Sequence, residues 1–278
     1  LNFPGDLIRA GGWNRIAWRP EGVWTGLGNV QHAEIWLSEY IDSFRSGEGT
    51  LHPLVEVKRV HSIRVRDNGT RIADELGWEG VLRDTAVAAC LLHDTGRFPQ
   101  FREYGTYYDG ASVDHGDLGE KVPSEKFPWE VLEGIGVKEI ILEAVRLHNK
   151  KILPDTLPET VLPVARTVRD SDKIDVFRLV RRHVEEGRIH DLLPRIEIRN
   201  EYSYGLLKEL AEEGSGSYRN VRTLADFLLV QLSWAFDLNY SPSFRILEED
   251  GVFSWIAGHL PSHPEADSFV SAALEYAR

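Results

Sequence analysis

His93 and Asp94 close the longest apolar run of this 278-residue chain, Ala86 to Leu92. An imidazole and a carboxylate at the end of such a run need compensation, because burying unpaired charge is expensive. A metal ion is one effective compensator. The dipeptide alone arises by chance in many chains, so its weight comes from other positions. His61 has Val57 one turn before it and Val65 one turn after it, which puts its ring on or beside an apolar face; a core histidine bonded to a carbonyl is the plainer alternative. Asp172 shares a helical face with Val164, Val168 and Val176, while Asp170 and Asp175 offer carboxylates just off that stripe. His148 falls one turn after Ala144, and His115 stands in Asp114-His115-Gly116-Asp117-Leu118-Gly119. Imidazoles mixed with carboxylates suit Fe, Mn, Ni, Zn or Co better than Ca, which favours oxygen alone.

Helices must carry most of these residues. Periodic apolar positions predict a long helix over 54–76, with Leu54, Val57, Val60, Ile63 and Val65 on its buried side. Val81 to Leu92 is apolar on every face, which marks a surrounded central helix. Further helices are expected over 137–147 and 161–184, the latter after Pro154 and Pro158. Between them, 95–128 reads as a polar loop rich in Gly and Tyr, broken by a short helix near 117–122. Upstream, 33–44 has mixed helical spacing, and the Gly- and Trp-rich first thirty residues read as an extended arm packed by its tryptophans. Downstream, helices are expected near 206–213, 221–236, 244–260 and 265–276, with Ile196 and Ile198 hinting at a short strand. Repeats, low-complexity tracts and long linkers are absent from the sequence. The expected fold is a single all-α domain over 1–278.

The order His61, His93-Asp94, Asp172 resembles the H…HD…D signature of the HD-domain superfamily of metal-dependent phosphohydrolases. Leu91-Leu92-His93-Asp94-Thr95-Gly96-Arg97 is similar to its LLHDIGK-type segment, with Thr and Arg as departures. Ser171-Asp172-Lys173-Ile174-Asp175 is similar to its closing ADxxD segment, which singles out Asp172 over its neighbours. The resemblance implies an HD helical bundle over about 54–184, with the N-terminal arm 1–53 and a C-terminal helical extension 185–278 outside it. His115 and His148 resemble the extra ligands of the binuclear branch. That implies one ion held by His61, His93, Asp94 and Asp172, and a second held by His115 and His148, with Asp94 bridging. The cofactor expected is thus two divalent transition-metal ions per chain, Fe or Mn favoured, with Ni, Zn, Co and Mg also admitted. The GYP tripeptide of the cyclic-dinucleotide phosphodiesterases does not follow His148, where Asn149-Lys150-Lys151 stands.

Two bridged ions can activate a shared water and clamp the oxygens of an in-line phosphoryl displacement. By resemblance, Asp94 is then catalytic through a metal-bound hydroxide, and Arg97, at the HD-plus-three position, faces the scissile phosphate. A surface salt bridge is the plain alternative for Arg97. Lys173 is a second candidate for substrate binding, or a partner for Asp170. The reaction class expected is hydrolysis of a phosphomonoester or phosphodiester, a nucleotide being the leading substrate. HD-fold di-iron oxygenases use a similar ligand set, and a non-catalytic nucleotide sensor is the third reading.

A net charge of -12 and a pI near 5.3 argue against a nucleic-acid polymer or an anionic membrane as partner. They leave room for a small phosphorylated substrate, since bound metal inverts the local sign. No run reaches the roughly 20 apolar residues of a membrane span, and no signal-peptide pattern opens the sequence. Cys90 is the only cysteine, which excludes an internal disulfide and points to a reducing, cytoplasmic setting.

Overall fold

A computed structural model describes residues 28–277, apart from 133, 135, 214 and 215. The tryptophan-packed arm expected over the first thirty residues lies almost wholly outside them. Thirteen α-helices and no named strand occur among the described residues, so the all-α expectation holds.

The first part of the chain holds α1 (Asn29–Asp42), α2 (Pro53–Glu75), α3 (Gly80–Leu92), α4 (Arg97–Tyr104) and α5 (His115–Lys126). They are followed by α6 (Val137–Leu147) and the long α7 (Leu162–Glu185). A first core joins Ile41 of α1, Val65 of α2, Leu91 of α3, Ile141 and Val145 of α6, and Val164 and Val168 of α7. Every residue of α3 from Thr85 to Leu92 is buried, as its apolarity predicts, but Val81 and Leu82, also expected to be surrounded, are 50% and 39% exposed.

The C-terminal part adds α8 (Ile189–Leu192), α9 (Tyr204–Glu213), α10 (Leu224–Leu232), α11 (Ser241–Glu249), α12 (Val252–His259) and α13 (Pro264–Tyr276). These close a second core on the far half of α7, around Ile174, Phe177 and Val180, together with Ile72 of α2. Thus α2 and α7 serve both cores.

Several expectations need correction. Leu54 and Val57 are about two-fifths exposed (41% and 40%) rather than buried. The buried face of α2 instead runs through Val55, His61, Ser62, Val65, Gly69 and Ile72. Small and polar groups sit there because α2 crosses α3 closely: a Cβ on Gly69 would stand 2.5 Å from Cys90 Sγ. The expected loop over 95–128 is largely helical, holding α4 and α5, and α5 tolerates Pro123 inside it. Tertiary packing overrides the weak local signal here. The single helix expected over 244–260 breaks at Gly251, whose φ of +64° favours glycine and separates α11 from α12. The helix expected over 221–236 starts at Leu224 behind a Thr223–Asp226 capping box, and its tail tightens into a 3-10 turn over Ser233–Asp237. The hint of a strand reduces to one isolated parallel bridge, Glu197 to Thr223.

Candidate metal centre

Five helices bring six side chains to one place. His61 comes from the middle of α2, and His93 caps the C-terminus of α3 with Asp94 next in the turn. His115 is the first residue of α5, His148 the C-cap of α6, and Asp172 lies midway along α7. His61, His93, Asp94, His115 and His148 are buried at 6% exposure or less, whereas the Asp172 side chain is 26% exposed. The cluster therefore opens on the Asp172 side.

Asp94 divides the cluster. Its Oδ2 lies 3.4 Å from His61 Nε2 and 3.5 Å from His93 Nε2. Its Oδ1 lies 3.8 Å from His115 Nε2 and 3.7 Å from His148 Nε2. Asp172 Oδ1 sits 3.1 Å from His61 Nε2 and 3.8 Å from His93 Nε2. Each carboxylate oxygen of Asp94 thus faces its own pair of imidazoles.

The other nitrogen of every ring is tied to an acceptor. His61 Nδ1 pairs with Asp175 Oδ2 at 2.6 Å and His115 Nδ1 with Asp109 Oδ2 at 2.5 Å. His93 Nδ1 donates to Cys90 O at 2.8 Å and His148 Nδ1 to Val145 O at 2.6 Å. With Nδ1 donating, each Nε2 presents a lone pair. Yet His61 and His93 bring these atoms within 3.2 Å, and His115 and His148 within 3.0 Å. Lone pairs that close repel unless a proton or a cation stands between them. Metal–nitrogen bonds of about 2.0–2.1 Å place adjacent donor atoms roughly 3 Å apart. The donor set therefore fits divalent metal, and the anchored Nδ1 atoms are the support that metal-binding histidines require.

Electrostatics agree with that fit. Burial opposes ionisation of Asp94, but Lys58, His93, Arg97 and His61 hold its carboxyl well below the usual range. Asp172 is likewise lowered against its burial, by its bond to His61 and the nearby His93. Burial pushes His93 down, and burial with the neighbouring rings His115 and His93 pushes His148 well down, which favours the neutral ligand form. His61 is the exception: burial and Lys58 oppose its protonation, but Asp172 and Asp175 outweigh them and raise it.

Second contacts lock the scaffold. Asp114, the N-cap of α5, accepts from Gly116 N, Asp117 N, Asn149 Nδ2 and Lys150 Nζ at 2.7–3.1 Å. This ties the start of α5 to the end of α6, so His115 and His148 are placed together. Burial opposes its ionisation, but the bonds from Lys150 and Asn149 carry the Asp114 carboxyl down to about 2. Arg169, 3% exposed, donates to the carbonyls of Leu147, His148, Lys150 and Lys151 and to Asp237, closing the C-terminus of α6. Gly96 lets α4 and α5 meet, since a Cβ there would fall 2.5 Å from Gly119 N and His115 O.

Arg97 is paired within the protein beside Asp94, on a side chain only 14% exposed. Its Nη1 donates to Gln100 Oε1, Tyr107 O and Asp109 Oδ1, while its Nε lies 3.5 Å from Asp94 Oδ1. Lys173 is placed apart from the six, with Nζ 2.9 Å from Asp237 Oδ2. Its expected alternative partner Asp170 is instead occupied by Asn239, Tyr240 N and Ser243 at the start of α11. Cys90 is buried in the core, and burial pushes its thiol up to about 12.

Sequence reasoning passed over Lys58, whose Nζ lies 2.6 Å from Asp94 Oδ2. Its position three residues before His61 was the available signal, since such residues share a helix face. The supporting roles of Asp109 and Arg169 had no comparable local sign.

Residues 59–185 match the family model of the HD domain. No curated protein and no solved structure gives a significant match to the chain.

Proposed function

We propose that the chain hydrolyses phosphomonoester or phosphodiester bonds of a small phosphorylated substrate, a nucleotide foremost, a reading supported by the match of residues 59–185 to the HD domain. The observation that carries this reading is the division of Asp94, one oxygen toward His61 and His93 and the other toward His115 and His148. A carboxylate so placed suits a bridge between two divalent ions, Fe or Mn foremost, the first held also by Asp172. Such ions supply Lewis-acid activation of water and neutralise charge on phosphoryl oxygens.

The chain's own residues do the rest. Arg97 and Lys58 put two cations on either side of the Asp94 carboxylate, with side chains only 14% and 19% exposed. Such half-buried cations bind a phosphate more strongly than solvated ones. Tyr107 lies under both, its ring centre 5.7 Å from Lys58 Nζ and 5.8 Å from Arg97 Cζ. Lys173 would meet only a substrate that extends toward Asp237. The acidic surface, net -12, disfavours polymeric nucleic acid. Among the described residues no helix is long and apolar enough to cross a membrane. The lone, buried Cys90 suits a reducing compartment such as the cytoplasm.

The test is phosphate release from a panel of nucleotides and simple phosphoesters by Mn(II)-reconstituted protein without oxygen. Release that disappears in Asp94→Ala is the expected result. Turnover seen only with reduced iron and O2, without phosphate, would move the protein to the oxygenases instead.

A further inference from the structure

The two halves of the metal centre are not supported alike. His93 and His148 anchor their Nδ1 atoms on carbonyls three residues earlier in the chain, Cys90 and Val145, so each anchor moves with its own ring. The remaining two rely on carboxylates from elsewhere. For His61 it is Asp175 of α7, fully buried and gripped by Arg64 through Nε at 2.5 Å and Nη2 at 3.2 Å. For His115 it is Asp109, which starts a 3-10 turn over Asp109–Ala111 and whose side chain is 34% exposed. Tyr108 beside it is 70% exposed. One half is therefore underpinned from inside the helical core and the other from a surface turn.

Asp109 is held there by specific contacts. Its Oδ1 accepts from Arg97 Nη1 and from Gln100 Nε2, each at 2.9 Å. Gln100 is fully buried and also donates to Ser112 Oγ and Val113 O, drawing the turn onto α4. On the other side of the ring, Asn149 Nδ2 approaches His115 Nδ1 to 3.3 Å. That amide is a donor. While the Asp109 carboxylate accepts from Nδ1, the ring keeps its proton there and offers Nε2 as a lone pair. Without the carboxylate, the nearby amide favours the opposite tautomer, whose Nε2 carries the proton and cannot ligate.

We propose that Asp109 is the positioning residue that retains the second metal ion, and that the His115–His148 half is consequently the exchangeable half of the centre. This rests on the two-ion reading above. The surface turn is then the part of the protein through which occupancy of the second ion can be altered without disturbing the first.

The experiment counts ions. Wild type, Asp109→Asn and Asp109→Glu are loaded with Mn(II), desalted and assayed for metal per chain, and each is titrated with EDTA. Asp109→Asn preserves size in an exposed turn, and its circular dichroism and thermal unfolding serve as the check on folding. The wild type should hold two ions and release them in two steps. Asp109→Asn should hold one, with affinity for the other lowered about 10- to 100-fold, the range for losing such a support. Asp109→Glu should recover part of it, which a merely structural defect would not. A folded Asp109→Asn with two ions at wild-type affinity overturns the proposal, as does a wild type that holds one ion or releases both together. The ion count does not depend on phosphate release. If the counts follow expectation and no phosphoester is cleaved, it is the hydrolase reading that falls.

Discussion

Asp94 carries two demands at once, because the same carboxylate faces both imidazole pairs and both nearby cations. Asp94→Ala should strip most bound metal and abolish turnover, a loss beyond the ~10- to 100-fold typical of residues behind the ligands; metal analysis and phosphate release check it. Wild-type metal content and turnover in this variant would remove the basis for the whole assignment. Lys58 gives a test with opposite signs. Its ammonium contacts the Asp94 carboxylate, so removing it would relieve repulsion toward an incoming dication. If it also binds the substrate phosphate, Lys58→Met should lower kcat/KM by about 10- to 100-fold, the equivalent of ~1.5–3 kcal/mol for a charge-assisted hydrogen bond. Mn(II) affinity should stay equal or rise. Reduced metal affinity with unchanged kcat/KM would mean that Lys58 only holds Asp94. Of the six clustered side chains, His93 and Asp94 were legible beforehand because a polar pair ending an apolar helix is a local anomaly, whereas Asp172, His115 and His148 were singled out by the family resemblance. Their supports were not, since the contacts that define them join positions as far apart as His61 and Asp175.

At the scale of elements, the centre depends on how closely α2, α3 and α7 approach. Gly69 marks the tightest point, with Cys90 Sγ 2.5 Å, Cys90 Cβ 3.1 Å and Ser171 Oγ 3.3 Å from where a Cβ would stand. Gly69→Ala forces these helices apart, and overpacking of this kind costs about 1–3 kcal/mol. The same helices carry His61, His93 and Asp172, so urea denaturation should show the destabilisation and metal titration a weaker first ion. An unchanged midpoint would show that the crossing relaxes freely. The helices themselves were readable where apolar periodicity was strong: the expected 137–147 coincides with Val137–Leu147, and 161–184 lies within one residue of Leu162–Glu185. Helix α4 was not, and of α5 only the stretch near 117–122 was, for physical reasons. One has only eight residues, the other contains two glycines and Pro123 after His115, and their order comes from packing, α4 on α2 and α5, and α5 on α6. The exposed Leu54 and Val57 misled in the opposite direction: they have the right spacing for a core, but Val55 takes the buried face at that end of α2, and the Leu54 carbonyl accepts from the Tyr107 hydroxyl at 3.0 Å.

Whether the metal-bearing part can stand alone is a question for the whole molecule. The family match ends at residue 185, which suggests a core followed by an appendage. Packing argues otherwise. Ile72, Ile174, Phe177 and Val180 are each at most 2% exposed, and their partners are Phe227, Leu228, Ile246, Leu247 and Phe253 from beyond the match. Arg169, which fastens the α6 end that bears His148, also reaches forward to Asp237, and Asp170 is engaged by Asn239 and Ser243. Exposing those four apolar side chains would cost roughly 1.5–3 kcal/mol each. The total is comparable to the roughly 5–15 kcal/mol that holds a typical domain folded. A fragment ending at Glu186 should therefore lose cooperative thermal unfolding, bind a hydrophobic dye and fail to retain two ions. The full chain should show one transition, raised by about 2.7 kcal/mol per ion when free metal is at a hundredfold excess over its Kd. A monomeric fragment with a sharp transition and full metal content would show that the C-terminal helices are dispensable, and that the second core only shields α7.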